Sequence, residues 1–457
     1  MFSTHTHSGE SNASRGFPDS SIKIRDLIKR AKEIGLSGVA ITDHETVGSF
    51  IKAKNLEKEF DFPVICGNEI YLVTDSQYDN LKNNYKKGMY YPHFILLAKD
   101  KIGAFQLIEL STRAWVNNSF KANGLDRTPT KFSDLEDVIG EDKGHIIATT
   151  ACLGGSIPKM LLGMRDNPDR KDILSEGIEI FISMCQDIFL PENFYFEVQP
   201  ATEYQQDQLY VNNKIKELST QYSIPYIIAT DAHYLKKELL SVHEKFLNSK
   251  ESDDREVIDF YRTAYLMSEN EVKDYFTPYW TQEEIQIGID NTIKIGNSCE
   301  RYDFDRKQVV PEVEFEEGWE DNLDHNFFPS DMKYIQETLN SEHHQDRYLM
   351  YKIQQGFLKL IDVEDYDATF TRVEEELEEF YFISKKIGDI IGNYFITISK
   401  IIEIIWDKNG GDSLVGVGRG CFTESALVHT NNGLKQIKDV KIGDKVITKD
   451  GNFNKVI

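Results

Sequence analysis

Seven short apolar runs separated by amphipathic segments, all within the first 235 residues, restrict the fold of this chain more than any other feature of its sequence. They are Met1 to Thr4, Gly38 to Thr42, Pro63 to Cys66, Phe94 to Ala98, Ile146 to Thr149, Phe194 to Val198 and Tyr226 to Ala229. Each has the length of a strand, and several of the intervening segments have helical periodicity. Between Ile22 and Ile34, for example, Ile22, Ile24, Leu27, Ile28 and Ala31 share one helical face. Such alternation predicts an α/β fold, either a parallel barrel or a doubly wound sheet, and seven runs favour a small barrel.

Folds of this kind gather their chemistry at the carboxyl ends of the strands. His5 and His7 follow the first run, His44 the second, Glu69 the third, Cys152 the fifth, and Asp231 and His233 the seventh. His93 instead precedes its run, and Asp19 lies in the loop before the first helix. One histidine beside a strand is ordinarily packing or surface. Five, with Asp19, Glu69, Cys152 and Asp231 at equivalent places, form a pattern. Mixed imidazole, carboxylate and thiol donors suit zinc, iron or manganese rather than calcium, and nine ligands would serve two or three ions. A cluster of that kind activates water and stabilises both oxygens of a phosphoester displacement.

These residues carry a resemblance. His5-Thr6-His7, Ile41-Thr42-Asp43-His44, Cys66-Gly67-Asn68-Glu69, His93 to Ala98, Ala151 to Gly155 and Ala229 to Tyr234 together resemble the polymerase and histidinol phosphatase (PHP) domain. They look most like the version at the N-terminus of the C-family replicative DNA polymerase, the polymerase III alpha subunit. The resemblance implies a seven-stranded distorted (β/α) barrel over residues 1–285. Matched motif by motif, it places metal ligands at His5, His7, Asp19, His44, Glu69, His93, Cys152, Asp231 and His233. It implies divalent metal (zinc, manganese or iron) and either 3′–5′ exonuclease or phosphoesterase activity. A structural metal site without turnover is the competing expectation.

Further along, an apolar segment from Tyr394 through Ile401, Ile402, Ile404, Ile405 and Trp406 reads as a core helix, closed by Asn409-Gly410-Gly411. It delivers the chain into Gly416-Val417-Gly418-Arg419-Gly420, whose unobstructed backbone N–H groups and single guanidinium suit a triphosphate. This resembles the nucleotide-binding loop of the polymerase family, with Gly418, Arg419 and Gly420 on the phosphates. Residues 286–420 are then expected to be the first part of an α+β palm. The catalytic aspartates of that family follow the loop; here only Asp439, Asp444 and Asp450 remain, in a different pattern. The chain is therefore not expected to polymerise DNA by itself.

After Gly420 the match breaks. Cys421 and the following Phe422 to Thr430, Gly443-Asp444-Lys445-Val446 and Asp450-Gly451 resemble the first block of an intein, the all-β Hint-fold splicing element, over residues 421–457. The resemblance makes Cys421 the splicing nucleophile, attacking the carbonyl of Gly420 to exchange an amide for a thioester. The implied partners are a C-terminal polymerase and intein half and, after trans-splicing, DNA primer-template, dNTP, magnesium at the completed polymerase site and a sliding clamp. The alternative is a self-sufficient PHP-type phosphoesterase or nuclease.

Composition sets outer limits. The formal charge of −24 is an unfavourable field for holding nucleic acid non-specifically, so a basic DNA surface would belong to another part of the assembly. Five scattered cysteines argue against a disulfide framework. With no apolar stretch long enough to span a bilayer, the expected location is cytoplasmic, without a membrane partner.

Overall fold

The structure, a computed structural model, describes the chain apart from residues 17, 85–90, 123–124, 141, 251–258, 306–312, 389, 409–426, 432, 437–438, 442, 448–452 and 456–457. Gly418, Arg419, Gly420 and Cys421 therefore lie outside the described residues. The chain divides into two compact units, Met1–Asp305 and Arg306–Ile457.

All seven expected strands form in the first unit: β1 (Phe2–Ser3), β2 (Gly38–Ile41), β3 (Val64–Val73), β4 (His93–Ala98), β5 (Ile146–Thr149), β6 (Phe194–Val198) and β7 (Tyr226–Ile228). They pair in that order in one sheet, with the short strand Thr130–Lys131 added to the far end of β3. The sheet is mixed rather than all parallel, because β4 runs antiparallel to both β3 and β5. The reason is the length of β3. It continues to Val73, well past the expected run, and the chain returns through the helix Asp75–Asn83 to enter β4 at the same rim. A parallel β4 would instead need a crossover back to the opposite rim.

Alternation along the strands separates two cores. Val39, Ile41, Phe94, Leu96, Phe194 and Phe196 face the surrounding helices, with Leu27 and Ile28 of the helix Ile24–Glu33 among their partners. Ala40, Ile65, Ile95, Leu97, Ile147, Tyr195 and Ile227 face inward. The curled sheet's ends, β1 and β7, meet only near their carboxyl ends, where Thr6 bridges Ala232. Below this bridge the helix Gln282–Ser298 packs on both strands. Thr292 Oγ1 accepts from the Phe2 N–H at 3.1 Å, Asn291 Nδ2 donates to the Tyr226 carbonyl at 2.8 Å, and Ile295 joins the inner core. A Cβ on Gly296 would stand 2.2 Å from the Phe2 ring, so only glycine permits this approach. The helix crosses the boundary expected at 285/286, and the first compact unit accordingly extends to Asp305.

In the second unit the regular elements among the described residues before Leu427 are all helices, including Lys333–Leu339, His344–Leu360, Tyr366–Ile387 and Ile391–Lys408. No strand of an α+β palm occurs among those described residues. The helices share a core of Phe328, Ile335, Leu339, Met350, Phe357, Phe370 and Leu377, and Ile396 packs with Trp319, Tyr348 and Tyr351. The isoleucine stripe expected to be core is mostly outside it: Ile401, Ile404 and Ile405 are 43–48% exposed. The helix Ile391–Lys408 has apolar residues on more than one face, and Ile396 lies on the face directed at the aromatic cluster. The strands Leu427–Thr430, Gly433–Gln436, Lys445–Ile447 and Phe453–Lys455 form an antiparallel sheet, with the first two as a hairpin. Among the described residues, no helix is long and apolar enough to cross a membrane.

Candidate metal centre

The nine residues singled out in the sequence converge on the rim where β1 and β7 meet. Strand parity explains two of them directly. Glu69 shares the inward face of β3 with Ile65, and His93 shares that of β4 with Ile95 and Leu97. His93 precedes its run because β4 is reversed. Its first residue therefore lies at the rim that the other strands reach with their last.

Loops place the remainder. His5 and His7 flank the Thr6 bridge to Ala232, with the His7 N–H donating to the Ala232 carbonyl at 2.9 Å. Asp19 is fixed by Asn12, whose Oδ1 accepts from the Asp19 and Ser20 N–H groups at 2.6 and 2.9 Å. His44, just past the end of β2, bridges Glu69 in the middle of β3. Glu45, Ala151 and Asp231, each at or beside a ligand position, have φ of 51°, 58° and 46°. Left-handed backbone at non-glycine residues costs free energy and clusters at functional sites. Gly154 shows close approach of another kind: a Cβ there would lie 2.7 Å from His93 Nδ1.

Three groups of donor atoms result, each lying within 4.8 Å: His5, His7 and Asp231; His44, Glu69 and His93; and His7, Asp19, His44 and His233. Glu69 joins them, with Oε2 at 3.1 Å from His7 Nε2 and 2.9 Å from His44 Nδ1, and Oε1 at 2.8 Å from His93 Nδ1. Cys152 Sγ is 3.5 Å from His93 Nδ1 and 3.9 Å from Glu69 Oε1. Asp231 Oδ1 lies 3.2 and 3.1 Å from the Nε2 atoms of His5 and His7, which are themselves 3.2 Å apart. Asp19 Oδ2 is 3.6 Å from His44 Nε2 and 3.5 Å from His233 Nε2. Every one of the nine is at this centre.

The donor chemistry fits divalent cations. Imidazole nitrogens and carboxylate oxygens point at one another inside a buried pocket, where unshielded charge is expensive. Burial would lower the pKa of His5 and His7, but Asp231, Glu69 and, for His5, Glu197 outweigh it. His5 is raised well above its ordinary value, and His7 to about 10. Glu69 is held well below the carboxylate range: burial opposes this, and the histidines His93, His44 and His5 overcome it. Burial, reinforced by the charges of Asp231 and Glu69, pushes the Cys152 thiol well up. Protons thus do in the bare protein what cations would do, and ligation must displace them.

Two supporting acids were not among the expected ligands. Glu197, on β6, receives His5 Nδ1 at 2.7 Å and accepts from Thr149 Oγ1 at 2.7 Å and Gln199 Nε2 at 2.8 Å. That is the carboxylate–histidine arrangement that fixes a ligand's tautomer and ring orientation. The signal was an acid inside the apolar run Phe194-Tyr195-Phe196-Glu197-Val198, on the same strand face as Tyr195. Asp43 accepts from the Ser8 N–H and Oγ and from Ser11 Oγ, and Ser11 Oγ lies 3.1 Å from His7 Nδ1. His145, set apart by its position, is away from the centre and paired with Asp100 and Asp142.

A curled α/β sheet with a His-, Asp- and Glu-rich centre at its carboxyl rim defines the class, and residues 3–201 match the model of the PHP domain. The chain is also homologous to DNA polymerases. It is 36% identical over 442 residues to the probable DNA polymerase YorL of Bacillus subtilis, covering 92% of this chain and 33% of that protein. The same figures hold for a DNA-directed DNA polymerase of Bacillus phage SPbeta. A DNA polymerase III subunit alpha of Borreliella burgdorferi is 24% identical over 416 residues, covering 90% of this chain and 31% of that protein. The chain spans about a third of the length of these curated relatives.

Proposed function

We propose that this chain is the N-terminal portion of a C-family DNA polymerase, with a metal-dependent phosphoesterase centre in its PHP domain. The observation that carries the reading is the match to polymerases across 92% of the chain, coupled to convergence of all nine expected ligands on one buried rim. His5, His7, Asp19, His44, Glu69, His93, Cys152, Asp231 and His233 would hold two or three divalent ions of zinc, manganese or iron. Such ions polarise a phosphoryl oxygen and lower the pKa of water. The chain's own part is to fix the donors: Glu197 orients His5, Asn12 holds the Asp19 loop, and Gly154 leaves room for His93. The reaction in view is hydrolysis of a phosphodiester at a 3′ end.

The polymerase activity belongs to a longer molecule. In this reading Gly418, Arg419 and Gly420 bind the triphosphate of an incoming nucleotide once aspartates from a second polypeptide join them. The joining reaction is trans-splicing, with Cys421 attacking the Gly420 carbonyl. One feature supports it: the described strands between Leu427 and Lys455 form a small antiparallel sheet, in keeping with the all-β element that the resemblance to an intein block implies.

Two assays test these readings. Co-expression with the reading frame carrying the remaining intein blocks should give a fused product by intact mass, absent in Cys421→Ala. No fusion with the wild type would remove the splicing reading. Incubation of a single-stranded oligonucleotide with the metal-loaded protein should release nucleotides from the 3′ end, and His7→Ala should stop it. No turnover under zinc, manganese or iron would leave the centre structural.

A further inference from the structure

The cavity over the metal centre, about 360 Å3, is lined by residues of two chemistries. Some are expected ligands, among them His93, Cys152 and His233. Others are Phe260, Tyr261, Leu162 and Lys159, which coordination does not employ. Phe260 and Tyr261 lie on the one-turn 3-10 helix Asp259–Arg262, with ring centroids 5.1 Å apart and planes at 74°. Both meet the His233 ring edge-on, at 5.9 and 5.4 Å. The turn is pinned from behind: the Tyr261 carbonyl accepts the Tyr234 hydroxyl at 2.7 Å, and the Tyr261 ring packs 5.1 Å from that of buried His243. Despite this anchoring, both aromatic residues are only half-buried.

Lys159, on the helix Ser156–Asp166, is the one lysine or arginine among the described residues lining this cavity. Its surroundings are acidic, since Glu69, Asp207 and Asp231 also line the space. The nearby Arg165 is engaged by Asp166 and Asp207. An anionic substrate entering a chain of net charge −24 would thus meet, among the described residues, the Lys159 cation beside the ligands.

We infer that Phe260, Tyr261 and Lys159 form the substrate-selecting subsite of this centre, the aromatic pair holding the base of one terminal nucleotide, one ring by its face and the other by its edge, and the lysine taking its phosphate. The inference rests on the phosphoester reading above and adds the residues that choose the substrate. Every base has a π-face, so the subsite selects nucleotides over other phosphoesters without preferring one base. The cavity is near the lower end of ligand-pocket volumes, which suits one unstacked nucleotide and not a duplex.

The test is calorimetric titration of the metal-loaded protein with two probes, deoxyadenosine 5′-monophosphate and 2-deoxyribose 5-phosphate. The nucleotide should bind about 5- to 100-fold more tightly, from stacking alone. Phe260→Ala and Tyr261→Leu should erase that difference while keeping the sugar phosphate's affinity, which also shows that the variants are folded. Lys159→Gln should weaken both probes by the same factor. Equal binding of the two probes by the wild type, or a preference surviving both aromatic substitutions, would overturn the inference. Nucleotide preference without cleavage of any phosphodiester would keep the subsite and remove the phosphoester reading.

Discussion

Among the least exposed side chains of Met1–Asp305 are His5, His7, Asp19, His44, Glu69, Glu197, Asp231 and His233, whereas no His, Asp or Glu is buried among the described residues of Arg306–Ile457. The second unit fills its interior with Phe328, Phe357, Phe370, Leu377 and similar groups, and leaves Ile401, Ile404 and Ile405 at its surface. The first unit encloses charge that only opposite charge or a cation can make tolerable. The second leaves apolar surface in water, where it costs much less. Such a difference separates a region whose apolar core also encloses a charged cluster able to hold ions from one held together by apolar packing alone among its described residues.

The sharpest way to break this comparison is to remove Glu69. Glu69→Ala leaves His7, His44 and His93 facing one another without their shared anion, and should destabilise the metal-free protein by about 3–5 kcal/mol in denaturant titration. Metal content by mass spectrometry should fall with it. A change below 1 kcal/mol would mean that the buried charge is not held as the geometry indicates. Ile396→Ala is the matching experiment in the second unit, expected to cost about 2–4 kcal/mol because its side chain is enclosed by Trp319, Tyr348 and Tyr351.

Glu197→Gln keeps shape and removes one charge from behind His5. Metal affinity should drop about 10- to 100-fold, measured by competition with a chromophoric chelator, while the fold persists. Unchanged affinity would make Glu197 a packing residue.

Acidity separates the units further. In the metal-free protein His5 and His7 have raised pKa values, so their stabilisation is fully present below the ordinary 6.5 and is lost as pH rises, for His7 through about 10. Glu69 and Asp231 are depressed, so their share is present above ordinary carboxylate values and lost as pH falls toward their folded values. Chelated protein should therefore melt highest between about pH 4.5 and 6.5 and lose stability toward pH 10. Zinc titrated at pH 7.5 should release protons, seen as buffer-dependent heat. A flat melting profile from pH 6.5 to 10 would sink this account. The smallest effect belongs to Ile401→Ser, expected within about 0.5 kcal/mol of wild type because the side chain is half in water.

Much of the first unit was legible in the chain. All seven strands follow from apolar runs, and seven of the nine candidate donors from their places after run ends, because period-2 alternation and the rim of an α/β sheet are local rules. His93 looked misplaced only because strand direction is not local. Glu197 was overlooked because one acid in an apolar strand does not announce which face it takes. In the second unit hydropathy alone makes the isoleucines of Ile391–Lys408 core, and Ile401, Ile404 and Ile405 are at the surface. Apolar composition fixes what a helix can bury, not which of its faces finds a partner.

By itself, then, the sequence determined the strand set, the donor types and the chemistry they permit, since these depend on side-chain identity and short-range periodicity. Tertiary structure decided the reversal of β4, the closure of the sheet by the Thr6–Ala232 bridge above the helix Gln282–Ser298, and the division of the donors into three groups linked through His7 and His44. Those outcomes depend on contacts between residues up to 290 positions apart, whose geometry is set by packing the whole unit at once.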